Sequence, residues 1–468
     1  MTRPLKLLLM FVAAIALIIV VALLVLNPLP QRLLRLISVE ACHSAFLVAF
    51  PAEEVNAGRT SMGTFPGIIG LHVDTPRREV AVTLLGIEFA RSRHRPGYGC
   101  APEEPGRVSL PPHLPSPSPT PWPLQDSSAA FPALNDYIQT EMLSSAEGQG
   151  EDNDTNHRAI LVMQDGKLVA EHYAPAYNAE SRFATASIAK SVNALLWAIA
   201  DDRGLADLDA PAEVPEWPAG DSRVGITNRN LVDMVSGLDN EEDFSLFSRS
   251  LEMITSPDTA SVAARASKIA EPGERFYYVS ADTNIASRSL QYALSREGWS
   301  IADFAETYLF DKIGADSFEL VTDGAGTFIG SSLVYATGRD WARLAQLTLQ
   351  EGKVNGEQVL PAGLTDSFQT PVPASKGAYK FSVWLNREPL YGKPIKHPGL
   401  PLDTLDFHGV GGNHILMIPS SNTVIVRIGQ ASGGGAFRRL HRFIAGAYVL
   451  VQRERGVAET LAANETEF

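Results

Sequence analysis

The sequence predicts a mixed α/β (α+β) chain in which one antiparallel sheet is flanked by helices and joined to a helical subdomain. Three observations lead there. Residues 159–164 and 168–173 are short apolar runs separated by Asp165-Gly166, a strong hairpin signal, and residues 413–418 and 423–428 repeat the pattern around Pro419-Ser420-Ser421-Asn422. Between the hairpins, from Leu205 to about Leu320, the segments read as mostly helical with Gly and Pro breaks, and residues 436–451 close the chain as an amphipathic helix. Strands from both ends of this stretch can therefore pair in one sheet covered by helices.

The chain begins with an apolar run. Every residue from Leu7 to Leu26 is apolar, long enough to cross a bilayer, with Arg3 and Lys6 before it and Asn27-Pro28 after it. No small-x-small cleavage site follows Leu26, so residues 1–26 read as an uncleaved signal anchor. The catalytic part is then expected on the periplasmic side of the inner (cytoplasmic) membrane. Residues 27–125 form a separate extension with strand-like stretches at 45–50 and 79–85. Its Cys42 and Cys100 are the only cysteines of the chain. In an exported protein they most simply form one disulfide, the other reading being two unrelated buried thiols. The proline-dense residues 111–123 exclude helix and sheet and form an extended connector. Residues 149–156 read as an acidic surface loop, residues 126–452 as the main domain, and residues 453–468 as a polar tail.

Composition narrows the function. The 468 residues are 45% hydrophobic and 20% charged, as in a folded globular protein, and the net charge of −14 argues against nucleic acid. There is no Cys-x-x-Cys and no His-Glu-x-x-His, so neither a metal nor a cofactor is expected. The absence of Gly-x-Ser-x-Gly removes the nucleophile elbow of an α/β-hydrolase.

The chemistry is carried by Ser187-Ile188-Ala189-Lys190, the only Ser-x-x-Lys in the chain. Ile188, Val192, Leu195, Leu196 and Ile199 recur at helical spacing and Gly204 stops the run, which puts Ser187 at the helix entrance and Lys190 one turn on, on the same face. A serine hydroxyl needs a base to act as a nucleophile, and a neutral lysine can serve. Locally, a Ser N-cap followed by a solvated Lys fits as well. Pro272-Gly273 leads into Tyr277-Tyr278-Val279-Ser280, where Tyr278 is either a general base with a lowered pKa or a packing residue. Phe407-His408-Gly409-Val410-Gly411-Gly412-Asn413 is either a glycine-rich turn or a strand edge whose backbone N–H, with that of Ser187, forms an oxyanion hole. Residues 231–238 read as a structural amphipathic turn ended by Gly237.

In this order, Ser-x-x-Lys, Leu-x-x-Met-x-Ser-Gly-Leu, Pro-Gly-x-x-x-x-Tyr and a Gly-rich strand resemble the serine β-lactamase-like hydrolases: class C β-lactamases, penicillin-recognising carboxypeptidases and related esterases. The resemblance covers about residues 126–452 and implies a β-lactamase/transpeptidase-like fold. Within that family the chain looks most like the 6-aminohexanoate-oligomer hydrolases. Tyr278-Val279-Ser280 stands where β-lactamases have Tyr-x-Asn, and Phe407-His408-Gly409 where they have Lys-Thr-Gly. Residues 336–343 and Gly409-x-x-Gly412-Asn413-His414 point to the same branch, although glutamine is more usual where Asn413 stands. The first region looks like the N-terminal extension of exported members.

The resemblance implies an acyl-enzyme on Ser187 and proton transfer by Lys190 and Tyr278. It implies an oxyanion hole from the N–H groups of Ser187 and Val410, with Ser280 bonded to Lys190. It places His408, Gly409 and Asn413 at the substrate, where His408 donates to the substrate or merely packs. Which of Lys190 and Tyr278 is the base is a coupled-titration question. The partner is then a small amide or ester. The reading from a different class is a non-catalytic binding protein at the cell envelope on the same scaffold.

Overall fold

The computed structural model describes residues 28–60, 63–103, 110, 113, 124–146, 155–240, 242–243, 245, 248–387 and 395–456. The proposed anchor, nearly all of the proline-dense connector and most of the acidic loop lie outside these residues. Among the described residues, no helix is long and apolar enough to cross a membrane.

The N-terminal part pairs one helix with one sheet. Helix α1 (Pro28–Phe46) lies on an antiparallel four-stranded sheet, β1 (Ile69–Asp74), β2 (Glu79–Leu84), β3 (Ile87–Arg95) and β4 (Gly99–Pro102). Cys42 on α1 is disulfide-bonded to Cys100 on β4. The strand expected at 79–85 is β2; the strand expected at 45–50 is not there. Residues 45 and 46 end α1, Leu47 and Val48 donate back to the His43 carbonyl, and Ala49 takes φ 63, which turns the chain away. A six-residue apolar run cannot by itself distinguish a strand from the buried end of a helix. This unit is tied to the rest of the chain by Glu319, whose carboxylate is bonded to His94, Arg182 and the Gly99 N–H.

The main sheet has eight strands. β5 is Gln125–Asp126, β6 Thr155–Gln164, β7 Lys167–Tyr173, β8 Tyr379–Lys380, β9 Val383–Leu385, β10 Leu405–Gly409, β11 Asn413–Ile418 and β12 Thr423–Ala431. Their spatial order is β8-β9-β10-β11-β12-β6-β7-β5, antiparallel throughout except for the β5–β7 pair. The β12–β6 pairing, with Val426 opposite Leu161, joins the two ends of the domain as the sequence predicts. Asp165 and Gly166 take φ 52 and 78, the positive values a two-residue hairpin turn needs.

The central strands are apolar through residues 159–163, 415–418 and 424–426 because both faces are covered there. Ile160, Val162, Leu416, Ile418 and Ile425 pack under α2 (Pro132–Ala146) and α6 (Gly433–Glu454). Leu161, Met163, Ile415, Met417, Val424 and Val426 face the other way, into the core containing α3 (Ile188–Asp202), α4 (Ser280–Arg296) and α5 (Gly338–Leu349). The helical middle is built from α4 and shorter helices at Asn228–Val232, Arg249–Ile254, Thr259–Ala263 and Ile301–Ala305. α3 is buried along almost its whole length beneath the sheet, which fixes its first turn beside the end of β10.

Candidate active site

Ser187 precedes α3 in a strained turn. Ala186 takes φ 52, a conformation that costs a non-glycine residue about 1 kcal/mol or more and that concentrates at functional sites. The Ser187 side chain makes no capping hydrogen bond, so its hydroxyl does not serve the helix. It accepts from Lys190 Nζ at 3.2 Å. The ammonium of Lys190 is fully buried and also donates to Ser280 Oγ at 3.1 Å and the Ser331 carbonyl at 2.8 Å. Burial pushes its pKa down to about 8, against the pull of the Glu242 carboxylate.

Tyr278 reaches the same point from the turn before α4. Its ring lies 4.9 Å from Lys190 Nζ, measured to the ring centroid. Tyr379 and Trp384 wall it in, with Trp384 5.1 Å and Tyr379 5.9 Å away between ring centroids, and Phe276 packs against both of them. Burial raises the Tyr278 pKa above its ordinary value, and the neighbouring Ser187 hydroxyl offsets part of that rise. The phenol is therefore protonated at neutral pH unless Lys190 or substrate takes part.

Glu242 is a site residue that the sequence did not reveal. Ser280 Oγ donates to Glu242 Oε1 at 2.5 Å, and the Ser280 N–H donates to Oε2 at 2.7 Å. The carboxylate thus sits at the N-terminus of α4, where the helix dipole favours it, one hydroxyl away from the buried amine. Glu242 lies in irregular chain with no periodicity, and only tertiary folding brings it here.

The edge strand β10 approaches the Ser187 turn closely. A Cβ added at Gly409 would sit 2.0 Å from the Thr185 carbonyl oxygen, so only glycine fits there. Val410 follows at an exposed tip, with 72% of its surface open. The Asn413 amide is bonded to backbone: it donates to the Val410 carbonyl at 2.8 Å and accepts from the Gly429 N–H at 3.0 Å. Its place is behind the loop, beside buried Arg427, which donates to the carbonyls of Gly411 and Gly412. His408 turns toward Asp406 and His414, with the Trp384 ring 6.4 Å away. Cys42 and Cys100 lie in the N-terminal unit and take no part in the site. The 231–238 turn is structural: Asp233 accepts from the Phe381 N–H and pairs with Lys380, holding the chain between β8 and β9.

The arrangement therefore presents a half-buried hydroxyl, a buried amine and a phenol at one point beside a glycine strand edge. The β-lactamase family model matches residues 147–449. The chain belongs to the β-lactamase family. Among its relatives, the 6-aminohexanoate-dimer hydrolase of Paenarthrobacter ureafaciens is 27% identical over 303 residues, covering 58% of this chain and 71% of the relative. A structure of a candidate 6-aminohexanoate-dimer hydrolase from Bacillus anthracis superposes with a TM-score of 0.54 at 20% identity, over 65% of this chain and 81% of that one. EstCE1, described as a hydrolase with promiscuous acyltransferase activity, gives 0.53 at 14% identity, over 68% and 99%. At these identities the structures show the fold alone: the β-lactamase/transpeptidase-like arrangement of mixed α/β content. This β-lactamase-family chain is accordingly a serine hydrolase.

Proposed function

We propose that the protein cleaves an ester or linear amide through an acyl-enzyme on Ser187. The observation that carries this reading is the bond between Lys190 Nζ and a Ser187 hydroxyl that caps nothing. Attack of Ser187 Oγ on the substrate carbonyl releases the hydroxyl proton to Lys190, directly or through Tyr278. The same pair passes a proton to the leaving alcohol or amine, and a water proton travels the path in reverse during deacylation. An amine with pKa about 8 is partly neutral at physiological pH and so is able to accept that proton. The N–H groups of Ser187 and Val410 stabilise the developing oxyanion. Ser280 and Glu242 hold Lys190 in place and share its charge.

The edge strand offers Phe407-His408 where a β-lactam-specific member has a lysine, which favours neutral esters and amides over substrates with a carboxylate beside the scissile bond. The aminohexanoate relative brings linear amide oligomers into the same panel. The apolar run from Leu7 to Leu26 supports attachment to the inner membrane with the hydrolase domain in the periplasm. Turnover of p-nitrophenyl acetate and butyrate, nitrocefin, D-alanyl peptides and linear amide oligomers by residues 27–468 tests the substrate class. Faster turnover of nitrocefin than of every ester and linear amide would overturn it. Membrane attachment is tested by carbonate extraction of the full chain, and release into the soluble fraction would contradict it.

A further inference from the structure

On the sheet face covered by α6, separated from Tyr278 by the Trp384 ring, a second polar cluster is buried. Strand register puts Asp406 and His408 of β10 beside His414 of β11, and the segment leading into β10 adds His397. Asp406, His397 and His414 are each at most 1% exposed. His397 Nε2 lies 2.9 Å from Asp406 Oδ2; His414 Nδ1 lies 3.1 and 3.2 Å from its two oxygens. His408 Nδ1 lies 3.3 Å from His414 Nδ1 and 3.7 Å from Asp406 Oδ2.

Three potential ligand atoms, His397 Nε2, His414 Nδ1 and an Asp406 carboxylate oxygen, thus lie within 4.8 Å of one another, the two imidazole nitrogens standing 2.9 and 3.1 Å from the carboxylate. With metal–nitrogen and metal–oxygen bonds of about 2.0–2.1 Å, neighbouring ligands stand about 3.3 Å apart. Hydrogen bonding alone serves this group poorly. His414 Nδ1 carries at most one proton, yet it faces both oxygens of Asp406 and another imidazole nitrogen. The outward nitrogens, His397 Nδ1 and His414 Nε2, are buried with no partner among the described residues. No bond on the far side orients either ring; what the rings share is the point they face.

The geometry points to a buried binding site for a zinc-class divalent cation, with Asp406, His397 and His414 as ligands and a fourth position open to water. Neutral imidazole with carboxylate suits Zn2+ and Co2+, whereas Mg2+ and Ca2+ prefer oxygen donors throughout. His441 of α6, whose ring centroid is 5.3 Å from that of His397, stands behind the ligands. Lys396 is the competing cation: its Nζ is 3.4 Å from Asp406 Oδ2 and lies 3.9 Å over the Trp384 ring. The metal takes its place at the carboxylate while the amine remains over the indole. A bound ion would crosslink the 395–400 segment, β10 and β11, and so fix the turn that carries Gly409 and Val410.

The test is metal content and spectroscopy, neither of which depends on Ser187 or on turnover. Protein produced with zinc, dialysed against metal-free buffer and analysed by elemental mass spectrometry should retain stoichiometric zinc. Apoprotein titrated with CoCl2 should develop the intense visible absorption of tetrahedral Co2+. His397→Gln and His414→Gln should lower Co2+ affinity by more than the roughly 10–100-fold that loss of an outer-sphere partner costs, and His441→Gln by no more than that. Wild-type protein with no retained zinc and no Co2+ absorption would overturn the proposal without recourse to any variant. Unchanged Co2+ absorption in folded His397→Gln and His414→Gln would overturn it too.

Discussion

Lys190 and Asp406 are both fully buried charges, yet the chain surrounds them in opposite ways. Lys190 meets two hydroxyls and a carbonyl, and its nearest carboxylate, Glu242, is reached only through Ser280. Nothing ionic touches it, so burial wins and its pKa falls to about 8. Asp406 meets Lys396, His397 and His414 directly and stays ionised well below the usual carboxylate range despite burial. An amine with pKa near 8 gives and takes protons at physiological pH, and a carboxylate held ionised does not. On the proposed mechanism, proton transfer belongs to the Lys190 cluster, and anchoring or ion binding to the Asp406 cluster.

The comparison breaks most visibly at Lys190. Lys190→Met should cut ester turnover by about 10²–10⁴-fold, the range of general acid–base catalysis, while the melting temperature stays level or rises, because a poorly compensated buried charge has gone. Asp406→Asn should do the reverse to stability. It leaves the buried Lys396 without its counter-charge, and chemical denaturation should show a loss of about 3–5 kcal/mol. Equal stability effects at the two sites would erase the contrast.

Asp282 sharpens it. Burial, with the Glu242 carboxylate nearby, raises the pKa of this carboxyl to about 7. Between about pH 4 and pH 7 the folded state keeps a proton that the unfolded state has lost, so stability falls as pH rises through that window. Asp282→Asn should flatten this dependence and be more stable than wild type at pH 8, by on the order of 1 kcal/mol or more. The smallest expected effect is at Glu242. Its negative charge raises the Lys190 pKa, so Glu242→Gln should move the acid limb of kcat/KM to lower pH, with turnover reduced by less than about tenfold. An unmoved limb would leave Glu242 with a purely structural part.

What could be read from the sequence follows from how local each signal is. Ser187 and Lys190 are one helical turn apart, and the periodicity of α3 announces both. The two hairpins are equally local, since Asp165-Gly166 dictates its own turn. Tyr278 stands out only through the ordered motifs around it. Glu242, and the meeting of His397 with Asp406 and His414, depend on irregular segments folding back onto the sheet, which no periodicity encodes. The family resemblance puts Asn413 at the substrate. Its amide turned out to be occupied by the Val410 carbonyl and the Gly429 N–H, the backbone groups that shape the loop. Residues 45–50 failed because a short apolar run suits the end of a buried helix as well as a strand.

The most direct measurement is intact-mass spectrometry after exposure to a fluorophosphonate, on wild type and Ser187→Ala alongside their ester turnover. A single adduct on wild type, localised to Ser187 by peptide mapping and absent from the variant together with turnover, is the predicted result. Folded wild-type protein that takes up no adduct, or a Ser187→Ala variant that hydrolyses esters at the wild-type rate, would contradict it.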